Sequence, residues 1–236
     1  FSSTMLDISK IKAISLDLDD TLWPVWPTIE RAEKALHHWM VEHAPMAAAL
    51  FSSPVALREI RDYMMANRPD LKHDLSAVRR ESIRLALYRA GESPLLADRA
   101  FEVFFAARQQ VDLFEDALPA LEFLASRYPL VSLSNGNADV TRVGLGTFFK
   151  ASITAREFGV GKPDSRIFHA AAGAVDTRPE YVLHVGDDAT LDALGALNAG
   201  MQAGWINRSD HLWPHDDQPH LVMTNLTELC ELIRAG

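Results

Sequence analysis

From residue 114 onward, short β-type runs alternate with helical periods, and several of the runs stop abruptly in polar clusters. Residues 116–127 carry helical apolar spacing, 130–133 read as a strand, and Ser134-Asn135-Gly136-Asn137 follows. The pattern returns with residues 152–155, a helix over 165–174, a strand over 181–185 that ends at Gly186-Asp187-Asp188, a helix over 191–199 and a strand over 201–206. Residues 221–224 and 226–234 supply a last short strand and a closing helix. Such alternation predicts an α/β fold, a doubly wound, Rossmann-like parallel sheet with helices on both faces. An earlier strand, residues 11–16, stops at Asp17-Leu18-Asp19-Asp20-Thr21.

Between that strand and residue 114 the chain reads as helix throughout. Apolar residues at Ile29, Ala32, Leu36, Trp39 and Met40 predict a helix over 28–43, and residues 74–90 carry another stripe that Gly91 ends. Ser93-Pro94 places a capping hydroxyl before a proline and opens a helix through about Gln110. A stretch of this length is too long for a structureless connection, so it forms a domain of its own. The expected division is residues 1–22 with 114–236 as the core and 23–113 as a helical insertion. The 236 residues fit that arithmetic, since they exceed one domain of roughly 150 residues and fall short of two.

Composition narrows the function. Lys+Arg 23 against Asp+Glu 32 leaves a net charge of −9, so no basic field is available for nucleic acid or an anionic membrane surface. No apolar run approaches the roughly 18 residues of a membrane helix. Phe1-Ser2-Ser3-Thr4-Met5 has no basic region followed by an apolar stretch, and no secretion signal is expected from it. The single cysteine, Cys230, cannot form an internal disulfide, which suits a cytoplasmic location.

In open α/β sheets the binding crevice lies outside the carboxyl ends of the strands, where these polar clusters stand. Asp17 and Asp19, two apart on an extended run, aim to one side. Together with Asp187, Asp188 and Asp192 they concentrate carboxylates at a cost that a cation offsets, and an all-oxygen set suits Mg²⁺ better than zinc. Alone, each piece has a plainer reading. The Asp-rich segment resembles a helix cap, Asn135-Gly136 a turn, Lys162 a solvated loop lysine and Asp192 a first-turn acid favouring the helix dipole. Trp23, Trp26 and Trp39 are expected to pack between helices more than to stack on a flat ligand, and His37, His38 and His43 to be surface residues.

The four elements taken together resemble the haloacid-dehalogenase superfamily. Asp17-Leu18-Asp19-Asp20-Thr21 looks like its first motif, Ser134-Asn135-Gly136 its second, Lys162-Pro163 its third, and Gly186-Asp187-Asp188 through Asp192 its fourth. Residues 183–188 and 200–206 are similar to bacterial phosphatases of flavin mononucleotide and a related riboflavin-pathway phosphate. Ser134 stands where that group has Thr, and Trp23-Pro24 where it has a Tyr-Asp pair.

The resemblance implies a phosphatase acting on a small phosphorylated metabolite through an aspartyl-phosphate. Asp17 would be the nucleophile and Asp19 the general acid and base, with Ser134 and Lys162 completing the catalytic set. Ser134, Asn135, Gly136 and Lys162 would bind the phosphoryl group. Asp17, the Asp19 backbone carbonyl and Asp187 would hold Mg²⁺, and Asp188 and Asp192 would shape its surroundings. The insertion would be a helical cap that excludes water and reads the rest of the substrate. A phosphomutase or a dehalogenase of the same superfamily are the enzyme alternatives. Outside enzymes, a receiver-like or regulatory phosphate-binding protein is a further alternative, though a receiver domain lacks a long helical insertion.

Overall fold

The computed structural model describes residues 5–236, so the secretion-signal expectation, which rests on Phe1 to Thr4, lies outside the described residues. In chain order the elements are β1 (Ala13–Leu16), α1 (Val25–His43), α2 (Pro45–Leu50), α3 (Pro54–Asn67), α4 (Leu75–Arg89), α5 (Ala97–Arg108), α6 (Ala117–Arg127), β2 (Leu130–Ser134) and β3 (Ala151–Thr154). They continue with α7 (Ala155–Phe158), α8 (Ser165–Ala174), β4 (Val182–Gly186), α9 (Gly195–Asn198), β5 (Gln202–Ile206), β6 (Leu221–Met223) and α10 (Leu226–Ala235). The chain divides into two compact units, one made by the residues up to Pro24 together with Asp112–Gly236, the other by Val25–Val111.

The first unit is built on a six-stranded, all-parallel sheet in the order β3-β2-β1-β4-β5-β6. Strands covered on both faces read as continuous apolar runs, and every residue of β1, β2, β4 and β5 is buried. Ile167, Phe168 and Ala171 of α8 pack with Val131, Leu133, Val182 and Trp205 of the sheet. Burying a side chain the size of Phe168 contributes about 1.5–3 kcal/mol. Chain order reverses direction at β1, which lies between β2 and β4, so this strand marks the switch point where a crevice opens at the carboxyl ends. The register brings those ends level, with Leu16 beside both Ser132 and Val185.

One predicted helix takes another form. Residues 189–194 wind as a π-helix that passes into the short α9, whereas the apolar spacing predicts ordinary α-helix over 191–199. Ala193 N–H reaches back five residues to the Asp188 carbonyl at 3.1 Å, which swings Asp192 inward to full burial.

The second unit is helical. Ala32, Leu36 and Met40 line one face of α1 and share a core with Ile60 of α3, Ile83 and Leu87 of α4, and Phe101 and Phe104 of α5. Ser53 caps α3 ahead of Pro54, and Asp74 caps α4 through the Ala77 N–H. Gly91, at φ 76°, follows the α4 C-cap in the left-handed region where glycine is favoured. The helix expected from Ser93-Pro94 opens as a 3₁₀ turn, Pro94–Leu96, before α5. Trp39 stacks on His43 at 4.7 Å between centroids, and Trp26 is covered by the Arg58 guanidinium at 4.1 Å. Among the described residues, no helix is long and apolar enough to cross a membrane.

Candidate active site

Asp17 follows β1 directly, and its N–H continues the sheet by donating to the Val185 carbonyl at 3.0 Å. The chain then turns sharply. Asp20 takes a φ of 63°, its N–H bonds to the Trp23 carbonyl at 2.7 Å, and Leu22 N–H closes on Leu18 at 2.9 Å. Two contacts hold this turn in place. The Trp23 indole, fully buried, donates to Asp19 Oδ1 at 2.8 Å, and the Thr21 carbonyl accepts from Arg208, whose guanidinium is doubly bonded to Asp116.

Asp17 is 7% exposed and clamped through both oxygens. Lys162 Nζ donates to Oδ1 at 2.9 Å and Thr21 Oγ1 to Oδ2 at 3.0 Å, with Asp187 Oδ1 a further 3.4 Å from the same hydroxyl. Lys162 also donates to Asp192 Oδ1 at 2.6 Å. That same oxygen receives the Nε2 of His184 at 2.8 Å, and His184 Nδ1 meets Ser15 Oγ at 2.8 Å inside the sheet. A hydrogen on Nδ1 would leave the Nε2 lone pair facing a carboxylate, so Nε2 carries the proton and Ser15 donates to Nδ1. Asp192 Oδ2 accepts the Asp188 N–H at 3.2 Å. A Cβ on Gly186 would overlap the Asp192 carboxyl, which requires glycine there.

Ser134 and Asn135 follow β2. The Ser134 hydroxyl, 2% exposed, accepts the Gly136 N–H at 2.9 Å. The Asn135 side chain, expected at the phosphoryl group, is bonded to the main chain of Lys162, accepting its N–H at 2.8 Å and donating to its carbonyl at 2.9 Å. This amide clamp ties the loop after β2 to the loop that carries the lysine. Asp187 is held from behind by Trp205, whose indole N–H donates to its carbonyl at 2.8 Å. Asp188 caps the π-helix, accepting from Thr190 and Leu191 N–H at 2.9 and 2.8 Å.

Charge in this cluster is unbalanced. Carboxylate oxygens of Asp17, Asp187 and Asp192 lie within 4.8 Å of one another, the one group of potential metal ligands among the described residues; Asp19 stands outside it, and so do His37, His38 and His43. Were Asp17, Asp187 and Asp192 all ionised, the one positive charge of Lys162 would leave two negative charges uncompensated. Burial, then the charge on Asp192, raises the Asp17 carboxyl above its usual range, while Lys162 pulls the other way. Asp187, desolvated and bonded to Asp17, is pushed up to about 10. Burial works against ionised Asp192, but Lys162 and His184 outweigh it and hold the acid below the usual carboxylate range. Burial opposes the Lys162 charge too, and the two carboxylates outweigh that and hold the ammonium above the usual lysine range.

Residues 11–200 match the family model described as haloacid dehalogenase-like hydrolase. The chain belongs to this family. This hydrolase is 32% identical to the 5-amino-6-(5-phospho-D-ribitylamino)uracil phosphatase YigB of Escherichia coli over 96% of its own length and 98% of that protein. It is 35% identical to a phosphoserine phosphatase of Thermus thermophilus over 64% of its length and 63% of the relative. Among solved structures, one titled 2-haloacid dehalogenase from Pseudomonas syringae superposes with a TM-score of 0.87 at 40% identity, covering 96% of this chain and all of that one.

The hydrolase thus gathers Asp17, Ser134, Lys162, Asp187 and Asp192 around one strand edge. The sequence does not single out two contributors, Thr21 and His184, and it gives Asn135 a different role, at the phosphoryl group. Thr21 stands four residues after Asp17 in a segment that reads as a cap. His184 reads as an ordinary interior strand position, its one signal being a histidine in an apolar run eight residues before Asp192. The Asn135 side chain has a role that depends on a partner 27 residues away.

Proposed function

We propose that the chain is a Mg²⁺-dependent phosphatase that hydrolyses a small phosphorylated metabolite through an aspartyl-phosphate on Asp17. The proposed substrate is flavin mononucleotide or a riboflavin-pathway phosphate, by the motif resemblance of residues 183–188 and 200–206. The Escherichia coli relative is named as a 5-amino-6-(5-phospho-D-ribitylamino)uracil phosphatase. The observation that carries the reading is the position of Asp17, a buried carboxylate bonded to both Lys162 and Thr21 with Asp187 beside it.

Those two donors fix the Asp17 carboxylate plane, so one oxygen attacks phosphorus along a set direction as the phosphorus–alkoxide bond breaks. Asp19 gives its proton to the departing alkoxide. It then takes a proton from the water that attacks the aspartyl-phosphate, releasing inorganic phosphate and regenerating Asp17. Lys162 and the Ser134 hydroxyl meet the charge on the phosphoryl oxygens.

A divalent cation fits the donor set. The oxygens are hard, three carboxyl groups face a single ammonium, and Asp187 needs either a proton or a cation beside Asp17. Asp17, Asp187 and the Asp19 carbonyl would hold it, because Asp192 already spends its oxygens on Lys162, His184 and Asp188 N–H. Bound Mg²⁺ would neutralise the phosphoryl group and align it with Asp17.

The likeness to the structure titled haloacid dehalogenase favours a second reading, in which Asp17 displaces halide from carbon. That reaction has no use for a second carboxyl group at Asp187 beside Asp17 or for an acid at Asp19. Purified protein is assayed for phosphate release from p-nitrophenyl phosphate and a panel of phosphorylated metabolites including flavin mononucleotide, and for halide release from 2-chloropropionate. The proposal expects phosphate release that EDTA silences and that Asp17→Asn abolishes while folding is retained. Halide release alone overturns it. A flavin mononucleotide rate no better than that of a generic sugar phosphate removes the riboflavin assignment.

A further inference from the structure

The helical unit carries a charge that none of its own groups answers. Arg79, on the second turn of α4, is 8% exposed. One face of its guanidinium lies over the Phe104 ring of α5, 4.3 Å from the centroid. Among the described residues, no hydrogen bond or ion pair joins its nitrogens to an acceptor. The carboxylate nearest in effect, Glu33, is 3% exposed and already engaged by Arg58 through contacts of 3.3 and 3.1 Å.

The other neighbours share its sign. Burial, then the guanidinium groups of Arg61, Arg58 and Arg108, pulls Arg79 down to about 10, with Glu33 acting the other way. Arg79 still keeps its proton at neutral pH, and its nitrogens are not among the side-chain atoms sealed from solvent without a partner, so the unit holds an ionised fork that is open at its edge. A buried charge is normally paired, because desolvation without compensation is costly. The ring occupies one face, and the donor edge of the fork remains free. That planar edge matches two oxygens of a carboxylate or phosphate.

We infer that Arg79 is the seat of an oxyanion site within the helical unit, built to take a carboxylate or phosphate group. The anion is a separate small ion that acts as an effector of the helical unit. Only the turnover arm of the test rests on the phosphatase reading.

The test uses the full chain, as wild type, Arg79→Gln and Arg79→Lys. Thermal unfolding is followed in low-salt buffer with and without added sulfate. Without sulfate, Arg79→Gln is expected to unfold at the wild-type temperature or above it, since an uncompensated charge has been removed. Sulfate is expected to raise the wild-type Tm by several degrees more than that of Arg79→Gln, with Arg79→Lys between them. Sulfate is also expected to change p-nitrophenyl phosphate turnover in wild type more than in Arg79→Gln. A loss of stability in Arg79→Gln that sulfate does not modulate marks Arg79 as a packing residue and overturns the inference. Equal sulfate stabilisation of wild type and variant overturns it as well. A wild type that releases no phosphate from any ester defeats the phosphatase reading and leaves the unfolding comparison to decide this one.

Discussion

His184 Nε2 lies 2.8 Å from Asp192 Oδ1, the same oxygen that accepts Lys162 Nζ at 2.6 Å. A histidine sealed in the sheet therefore shares a carboxylate with the lysine that holds Asp17. His184→Leu removes the donor and leaves the buried Ser15 hydroxyl unanswered. Loss of such a supporting partner typically costs 10–100-fold in activity, so a kcat decrease of about that size is expected. His184→Gln keeps an N–H toward Asp192 and should recover most of it. Steady-state kinetics of both variants, with circular dichroism as a folding control, decide the matter. Equal losses in the two would show that bulk, not the donor, is what counts.

The Asp187 carboxyl, pushed up to about 10, links metal affinity to pH. An unfolded Asp titrates near about 3.9. Between these values the folded cation-free protein holds a proton that the unfolded chain has released, so its stability falls as pH rises through that window. A cation displaces that proton. Mg²⁺ is expected to raise Tm more at about pH 8 than at about pH 5.5, with close to one proton released per ion. Calorimetry in two buffers of different ionisation enthalpy measures the proton. An equal gain in Tm at both pH values would take Asp187 out of the ligand set.

Trp23 donates to Asp19 at 2.8 Å from a fully buried ring. Trp23→Phe keeps the packing and deletes the donor. A hydrogen bond to a charged acceptor is worth about 1.5–3 kcal/mol, so if Asp19 works as acid and base, kcat should fall about tenfold or more. Steady-state kinetics across a range of pH, with circular dichroism as a folding control, make the comparison. A profile that superposes on that of the wild type would leave Trp23 a packing residue only.

Asn135 holds the Lys162 main chain by two bonds, and Asn135→Leu breaks both. The expected result is a rise in KM for any phosphate ester together with lower kcat, because the lysine loop loses its register against the loop after β2. Asn135→Asp keeps one bond, to the Lys162 N–H, and should be milder. If Asn135→Leu spares the kinetics, the clamp is dispensable.

How much of this was legible in the sequence follows from which forces set each part. Strand ends were readable, because a parallel sheet places the residues after each strand at one edge and Asp17, Ser134 and Asp187 sit there by pattern alone. The π-turn over residues 189–194 was not, since it differs from α-helix by one hydrogen-bond step and leaves apolar spacing almost unchanged. Thr21 and His184 were hidden for another reason. A hydroxyl beside an Asp-rich turn and a histidine in an apolar strand acquire meaning from the directions the fold gives them, including contacts with partners 166 and 169 residues away in the chain.

The central place of β1 in the sheet has a consequence for synthesis. Translation makes Asp17 long before Lys162 and Asp192, which stand 145 and 175 residues further along the chain. A chain that stops short of Lys162 carries the Asp17 carboxylate without the ammonium that bonds to it, and is expected to lack the activity proposed above.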